Sequence, residues 1–379
     1  MFYKNARIYT AEHTFQTGAF EVKEDGRFGQ VLPESYPEDA IDLKGATVIP
    51  GLVDVHIHGC MGADFSDGDY EGLLVMARHL LKEGITSFAP ASMTLPYDVL
   101  EKAFATGRRL ADEAPEDCAR LMGIHMEGPY FSEKKKGAQN GAYLKTPDFE
   151  GFKKLYEGCG GLVRIVDVAP ELPGSEEFVK QASNLCTVSV AHTDATYEDA
   201  KMAYDSGATH LTHTFNAMSP IAHRAPGVIP AAAENKAVRA ELIGDAFHVM
   251  PPVVRLIFSV FGAERMVIVS DALRCCGMPK GQYELGGQIV VLEEDSLVGK
   301  LQDGTVAGSI TNLYVCMQRM MACGIPEEDA VRAATHNPAC AIAADDRIGT
   351  IQEGKLADFL ICSADYKEKR VFRGGREIA

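Results

Sequence analysis

From Gly51 to Leu273, short apolar runs alternate with amphipathic stretches. The runs are continuous rather than alternating at period two, which is the pattern of strands buried on both faces of a parallel sheet. There are eight: "GLVDVHIHG", "GITSFAP", "RLMGIHMEG", "LVRIVDVAPE", "CTVSVAHTD", "ATHLTHTFNAM", "RAELIGDAFHV" and "RMVIVSDAL". Between them, "DYEGLLVMARHLLKEG" and "TYEDAKMAYDSG" carry helical spacing, the second opening on a Thr196 N-cap and closing on Gly207. Eight such alternations predict an α/β fold, a (β/α)8 TIM-like barrel over 51–344, rather than an open doubly wound sheet. An open sheet usually shows a Gly-rich first turn, and the chain has neither GxGxxG nor a P-loop motif.

The flanks follow a different rhythm. "YKNARIYT", "GAFEVKEDGRFGQVL" and "IDLKGATVIP" precede the barrel and "GTIQEGKLADFLICSADYKEKRVFRGG" follows it, all short alternating strands with turn signals. Residues 1–50 and 345–379 are therefore expected to pair as one small β-sandwich domain built from the N- and C-terminal segments. After the eighth run, "GMPKGQYELGGQIVVLEEDSLVGKLQDGTVAGS" reads as a hairpin-rich insertion, followed by two helical stretches around "NLYVCMQRMMACG" and "PEEDAVRAATH".

With 379 residues, 46% of them hydrophobic, the chain can bury a large core, which excludes a disordered or fibrous protein. Lys and Arg number 37 against 53 Asp and Glu, and the net charge of -16 has the wrong sign for a nucleic-acid or anionic-membrane binder. An anionic substrate would need a few local cations. The first residues, "MFYKNARIYTAEHTF", lack a basic stretch leading into an apolar one, and no segment reaches the roughly 18 apolar residues of a membrane span. Ten cysteines lie scattered with no CxxC pair, as reduced thiols of a cytoplasmic protein would. A soluble, cytoplasmic protein is the expectation.

Several apolar runs end in His, Glu or Asp, and in a barrel the C-terminal strand ends ring the active site. His56 and His58 sit two apart and share one face of a strand, as do His125 and Glu127 in "GIHMEG", where the Gly128-Pro129 turn holds the carboxylate at the strand end. His192 in "VAHTD" and His213 in "LTHTF" close neighbouring runs. With Glu127 they form a two-histidine, one-carboxylate set that suits Zn²⁺ or Fe²⁺ and leaves positions open for water and substrate. Asp271 in "VIVSDAL" is placed as general base and acid. His248 and Arg224 are the candidate cations for an anionic substrate. His13, His79, His210 and His336 are read as structural.

The set "PGLVDVHIHG", "HMEGPYF", "KKKGAQN", "AHTDAT", "HTFNAMSP", "HRAPG" and "SDAL", with "GTVAGS" and "GKLADFLIC", resembles the amidohydrolase superfamily, and within it the N-acetylglucosamine-6-phosphate deacetylases. The resemblance covers essentially the whole chain. It implies that Glu127, His192 and His213 bind the principal divalent metal (Zn or Fe, with Mn or Co also accepted) and that Asp271 is the catalytic acid and base. It further implies that Ala138, Gln139, Asn216, Ala217, Arg224, His248 and the backbone of Val306, Ala307 and Gly308 hold a sugar phosphate. Family members are often homodimers in which an arginine at the "HRAPG" position reaches the neighbouring active site, so Arg224 is expected to act across a subunit interface.

One departure stands out. Gln139 occupies a position where some members carry a histidine that polarises the substrate carbonyl, and those members tend to lack the HxH pair present here. A second metal on His56 and His58, bridged by Glu127 with help from Asp271, would take over that role. The alternative is that Gln139 donates its amide N–H to the carbonyl and one metal suffices. A cyclic-amide hydrolase would usually bring a bridging lysine on strand four, which "VRIVDVAPE" lacks. Deacetylation of N-acetylgalactosamine 6-phosphate, or a non-catalytic barrel scaffold, are the other readings.

Overall fold

Every residue of Leu52–Ile57, Ile85–Pro90 and Met266–Val269 is buried, as strands covered on both faces require. The computed structural model, which describes residues 1–378, places these runs in a barrel of eight parallel strands. In order they are Leu52–Ile57, Ile85–Pro90, Ile124–Met126, Val163–Val168, Thr187–Val190, His210–Leu211, Arg239–Ile243 and Met266–Val269. Strand one pairs with strand two, and a continuous ladder runs from strand three to strand eight. Strand two meets strand three through Ala91 and His125.

Closure between strands eight and one happens at the C-terminal mouth. Asp271 N donates to His56 O at 2.9 Å and His58 N donates to Ala272 O at 3.0 Å. Beneath them, Ser270 N donates to the buried Asp54 Oδ1 at 3.3 Å. Burial pushes the Asp54 carboxyl up to about 7.

The helices follow the apolar stripes. Tyr70–Lys82 buries Leu73, Leu74, Met76, Ala77, Leu80 and Leu81. Tyr197–Asp205 starts on a capping box in which Thr196 and Asp199 satisfy each other's backbone N–H. The insertion is a four-stranded antiparallel sheet, Gly281–Leu285, Gln288–Leu292, Val298–Leu301 and Val306–Ser309. Three helices follow it where the sequence predicted two: Leu313–Ala322, Glu327–Ala334 and His336–Ala341. The division falls at Thr335 because Pro338 lacks the N–H that would bond Ala334 O, and its ring crowds that carbonyl.

Both chain ends enter one eight-stranded sheet, joined where Thr47–Pro50 pairs antiparallel with Phe359–Cys362. Its apolar side packs aromatics: Phe359 stacks on Phe372 at 4.5 Å and Tyr3 on Phe20 at 4.9 Å. All ten cysteines are unpaired. No helix among the described residues is long and apolar enough to cross a membrane.

The sheet docks on the helix Glu327–Ala334. Arg7 makes a bidentate pair with Glu327, both bonds 2.7 Å, and Tyr9 Oη donates to Glu328 O at 2.8 Å. Next to this seam the rings of His13 and His336 lie 4.6 Å apart. Burial, helped by the nearby cations Arg332 and Lys355, lowers both to about 4. An unfolded histidine titrates near 6.5, so the unfolded chain binds more protons between these values. Stability from this pair is complete above about pH 6.5 and is lost as pH falls toward about 4. The melting temperature of the double variant His13→Gln, His336→Gln should therefore fall less over this interval than that of the wild type; equal falls would place the acid sensitivity elsewhere.

Candidate metal centre

At the barrel mouth, strand one delivers His56 and His58, strand three Glu127, strand five His192, strand six His213 and strand eight Asp271. Three of these residues leave their strands in the left-handed region, His192 at φ 45°, His213 at φ 27° and Asp271 at φ 46°. Such backbone is costly for non-glycine residues and persists only where surrounding contacts determine it. Here it turns each side chain inward. Gly128, at φ 93°, is required after Glu127, since a Cβ there would lie 2.1 Å from Thr94 Oγ1.

Glu127 is the hub. Its Oε1 lies 3.1 Å from His192 Nε2, 3.2 Å from His213 Nε2 and 3.5 Å from His56 Nε2. Its Oε2 lies 3.2 Å from His58 Nε2 and accepts a 2.7 Å bond from Gln139 Nε2. Gln139 Oε1 accepts from Thr94 N at 2.7 Å, so both ends of that amide are engaged. Asp271 Oδ1 stands 3.4 Å from His58 Nε2 and 3.7 Å from His56 Nε2.

These residues fit a divalent cation on their own geometry. Three groups bring one ligand atom each within 4.8 Å of one another: Glu127 with His192 and His213, Glu127 with His56 and His58, and, deeper in the barrel, His56 with His125 and Glu241. The Nε2 atoms of His192 and His213 are 3.0 Å apart. His192 Nδ1 donates to Lys135 O at 2.9 Å, which leaves its Nε2 as a lone pair facing the carboxylate. The Nε2 of His56 is buried and has no hydrogen-bond partner. Burial alone would raise Glu127; without a cation, positive charge at His56 and N–H bonds from His192 and His213 outweigh it and hold the carboxyl well below its usual range, a role a bound cation would take once the rings are neutral. Lone pairs and carboxylates crowded this way call for positive charge between them.

Below this ring lies a buried polar layer that the sequence reading missed. Glu241 on strand seven meets His56 Nδ1 and His210 Nε2, both at 2.9 Å. Asp167 on strand four meets His125 Nε2 at 3.0 Å and accepts from Thr212 Oγ1 at 2.9 Å. The available signal was a lone carboxylate inside an otherwise apolar run, as in "RAELI", "RIVDV" and "LVDVH".

The ring opens into a cavity of about 230 Å³. Ala138, Gln139, Asn216, Ala217 and His248 line it, with Val306 and Ala307 from the insertion. Gly308 sits behind that wall, where a Cβ would press on Leu273 and on Asp271 O at 2.9 Å. His248 Nδ1 lies 2.7 Å from Asp245 Oδ2, and this carboxylate outweighs burial and raises the imidazole. Arg224 is exposed on the loop after strand six and does not line this cavity.

A parallel barrel with a His/Glu ligand ring and a neighbouring carboxylate at its C-terminal mouth defines a metal-dependent hydrolase of the barrel type. The chain belongs to the amidohydrolase family, whose model matches residues 47–378. N-acetylglucosamine-6-phosphate deacetylase of Bacillus subtilis is 34% identical over 370 residues, covering 96% of this chain and 93% of the relative. The human protein of that name is 34% identical over 334 residues, covering 84% and 80%. Among solved structures, a mutant of the Mycobacterium smegmatis deacetylase in complex with N-acetyl-D-glucosamine-6-phosphate superposes with a TM-score of 0.92 at 30% identity, covering 100% of this chain and 99% of that one.

A cation bound only by the folded chain stabilises it by about 2.7 kcal/mol at a hundredfold excess over Kd. Stripping divalent ions with a chelator should lower the melting temperature, and Zn²⁺ should restore it in the wild type. In a His192→Asn, His213→Asn variant, Zn²⁺ should restore much less. A melting temperature indifferent to chelator would remove the cation from this ring.

Proposed function

We propose that Glu127, His192 and His213 hold the metal with which this chain removes acetate from N-acetyl-D-glucosamine 6-phosphate, giving D-glucosamine 6-phosphate in amino-sugar catabolism. The observation that carries this reading is the convergence of the three ligands and Asp271 on one cavity, in a chain that matches deacetylases over nearly its whole length. When bound, a divalent ion activates water and polarises the acetamide carbonyl; Zn²⁺ or Fe²⁺ suits the donors best, and Mn²⁺ or Co²⁺ is accepted.

Asp271 moves the proton. Burial would favour its neutral form, but His58 and His56 keep its pKa below the ordinary carboxyl value, so it is ready to accept. It takes a proton from water as the water oxygen bonds the acetyl carbon. It then delivers that proton to the amine nitrogen as the C–N bond breaks. His248, which Asp245 favours in its cationic form, binds the phosphate, while Asn216, Ala217 and the backbone of Ala138 and of Val306 to Gly308 orient the sugar.

His56 and His58 would hold a second ion together with Glu127, with help from Asp271. The commitment of Gln139 to Glu127 and Thr94 supports this over direct donation from Gln139 to the substrate. Arg224 reaches the phosphate of a neighbouring subunit in a homodimer. The helix Pro251–Phe261 supports a second copy, because Leu256 and Val260 are exposed on one stripe, 57% and 44%, with Phe247 and Met250 beside it in sequence. The flanking strands form a small β-sandwich domain of residues 1–50 and 345–379 around the barrel of 51–344. A cluster drawn only from these flanks, including Tyr3, Phe20, Phe28, Phe359 and Phe372, supports that division. The protein works in the cytoplasm.

Assay of the purified chain on N-acetylglucosamine 6-phosphate should give acetate release that Asp271→Asn lowers by about 10² to 10⁴ in kcat at unchanged metal content. A fully active Asp271→Asn would overturn the mechanism. The galacto epimer, run alongside, should show the lower kcat/KM. Leu256→Asp with Val260→Asp should shift the chain from dimer to monomer in analytical ultracentrifugation and raise KM more than it lowers kcat. Monomeric wild type would rule out Arg224 as a contact across subunits.

A further inference from the structure

Glu241 touches neither the cavity nor Glu127, yet it contacts two of the proposed ligands. It is fully buried in the middle of strand seven. His56 Nδ1 lies 2.9 Å from Oε2, and the same oxygen accepts the backbone N–H of His213 at 3.2 Å. His210 Nε2 meets Oε1 at 2.9 Å and anchors the carboxylate from the far side.

Two consequences follow. With Nδ1 facing Glu241, His56 would present Nε2 as a bare lone pair once it binds a cation as the neutral ring, and that is the buried atom without a hydrogen-bond partner. The bond to His213 N also holds a residue whose φ of 27° is otherwise unfavourable. We propose that Glu241 is a positioning residue whose charge-assisted hydrogen bonds fix the tautomer of His56 and the backbone of His213, and so tune both halves of a two-ion site from beneath. The proposal rests on the two-ion reading above.

Glu241→Gln is the informative variant. The amide oxygen can still accept from His56 and His213, and its NH2 can donate to His210 once that ring carries its proton on Nδ1, an atom with no partner in the wild type. The fold is retained and the negative charge is lost. Asp167→Asn is the control, a carboxylate equally buried whose bonds go to His125 and Thr212, neither of which contacts Glu127.

The measurement is Zn²⁺ titrated into chelator-stripped full-length protein, with bound ions counted by mass spectrometry. Wild type should take two ions. Glu241→Gln should bind both ions more weakly than wild type, the one that uses His56 by about 10- to 100-fold, and Asp167→Asn should match wild type at both. Glu241→Leu, which removes every acceptor, should lose the weaker ion altogether; if it does not fold, Glu241→Gln still decides. Two ions with wild-type affinity in Glu241→Gln would overturn the proposal while leaving the two-ion reading intact. Equal weakening in Asp167→Asn would overturn it too, by showing a general effect of buried charge. A wild type that binds a single ion, unchanged by His56→Asn, would remove the two-ion reading and the proposal with it.

Discussion

The site depends on one buried carboxylate. Glu127 is 2% exposed, and an ionised group so far from water costs several kcal/mol unless opposite charge or hydrogen-bond donors surround it. Five side chains from four other parts of the chain answer that requirement: His56, His58, Gln139, His192 and His213. Their arrangement is costly in turn, since His192 and His213 bend into left-handed backbone to reach it. A cation held by Glu127 and the imidazole nitrogens would satisfy the carboxylate and the crowded lone pairs together.

The seam between strands eight and one ties this ring to Asp271, the proposed acid and base. Asp271 hangs from His56 by its backbone N–H, so its carboxylate and the first-strand histidines belong to one hydrogen-bonded unit. The same stretch carries the roof. Ser309 N donates to Asp271 O at 2.9 Å and Leu273 N to Ser309 O at 3.0 Å, which anchors the strand bearing Val306 and Ala307 to the strand-eight end. Roof and Asp271 are thereby held in fixed relation, as the proposed reaction, which needs a water, a carbonyl and a carboxylate in line, would require.

Much of this was legible in the sequence, because a barrel strand buried on both faces writes itself as a continuous apolar run and a polar residue at its end stands out. All eight strands lie within the eight apolar runs. The polar layer beneath was not legible in the same way. Glu241, Asp167 and Asp54 sit inside apolar runs, and only the folded barrel shows that each faces a donor on another strand. His210 was set aside as structural; it meets Glu241 and stays away from Glu127, a distinction that depends on the direction of its ring. Cooperation between distant segments, such as Gln139 bridging Thr94 and Glu127, has no sequence pattern at all.

Charge closes the argument. In a chain of net charge -16, a phosphate dianion needs cations placed against the general field. The cavity wall includes no lysine or arginine; its cationic candidates are histidines, and His58, His192 and His213 face Glu127. That leaves His248, which depends on Asp245 for its proton affinity and is a modest partner for a doubly charged ligand. Arg224 is exposed on the loop between strand six and the helix Val228–Glu234, outside the wall of its own cavity. In the proposed dimer a second copy would bring its own arginine to this cavity and supply the missing bidentate charge. Leu256 and Val260, exposed on one helix stripe, are apolar surface that such a copy could cover.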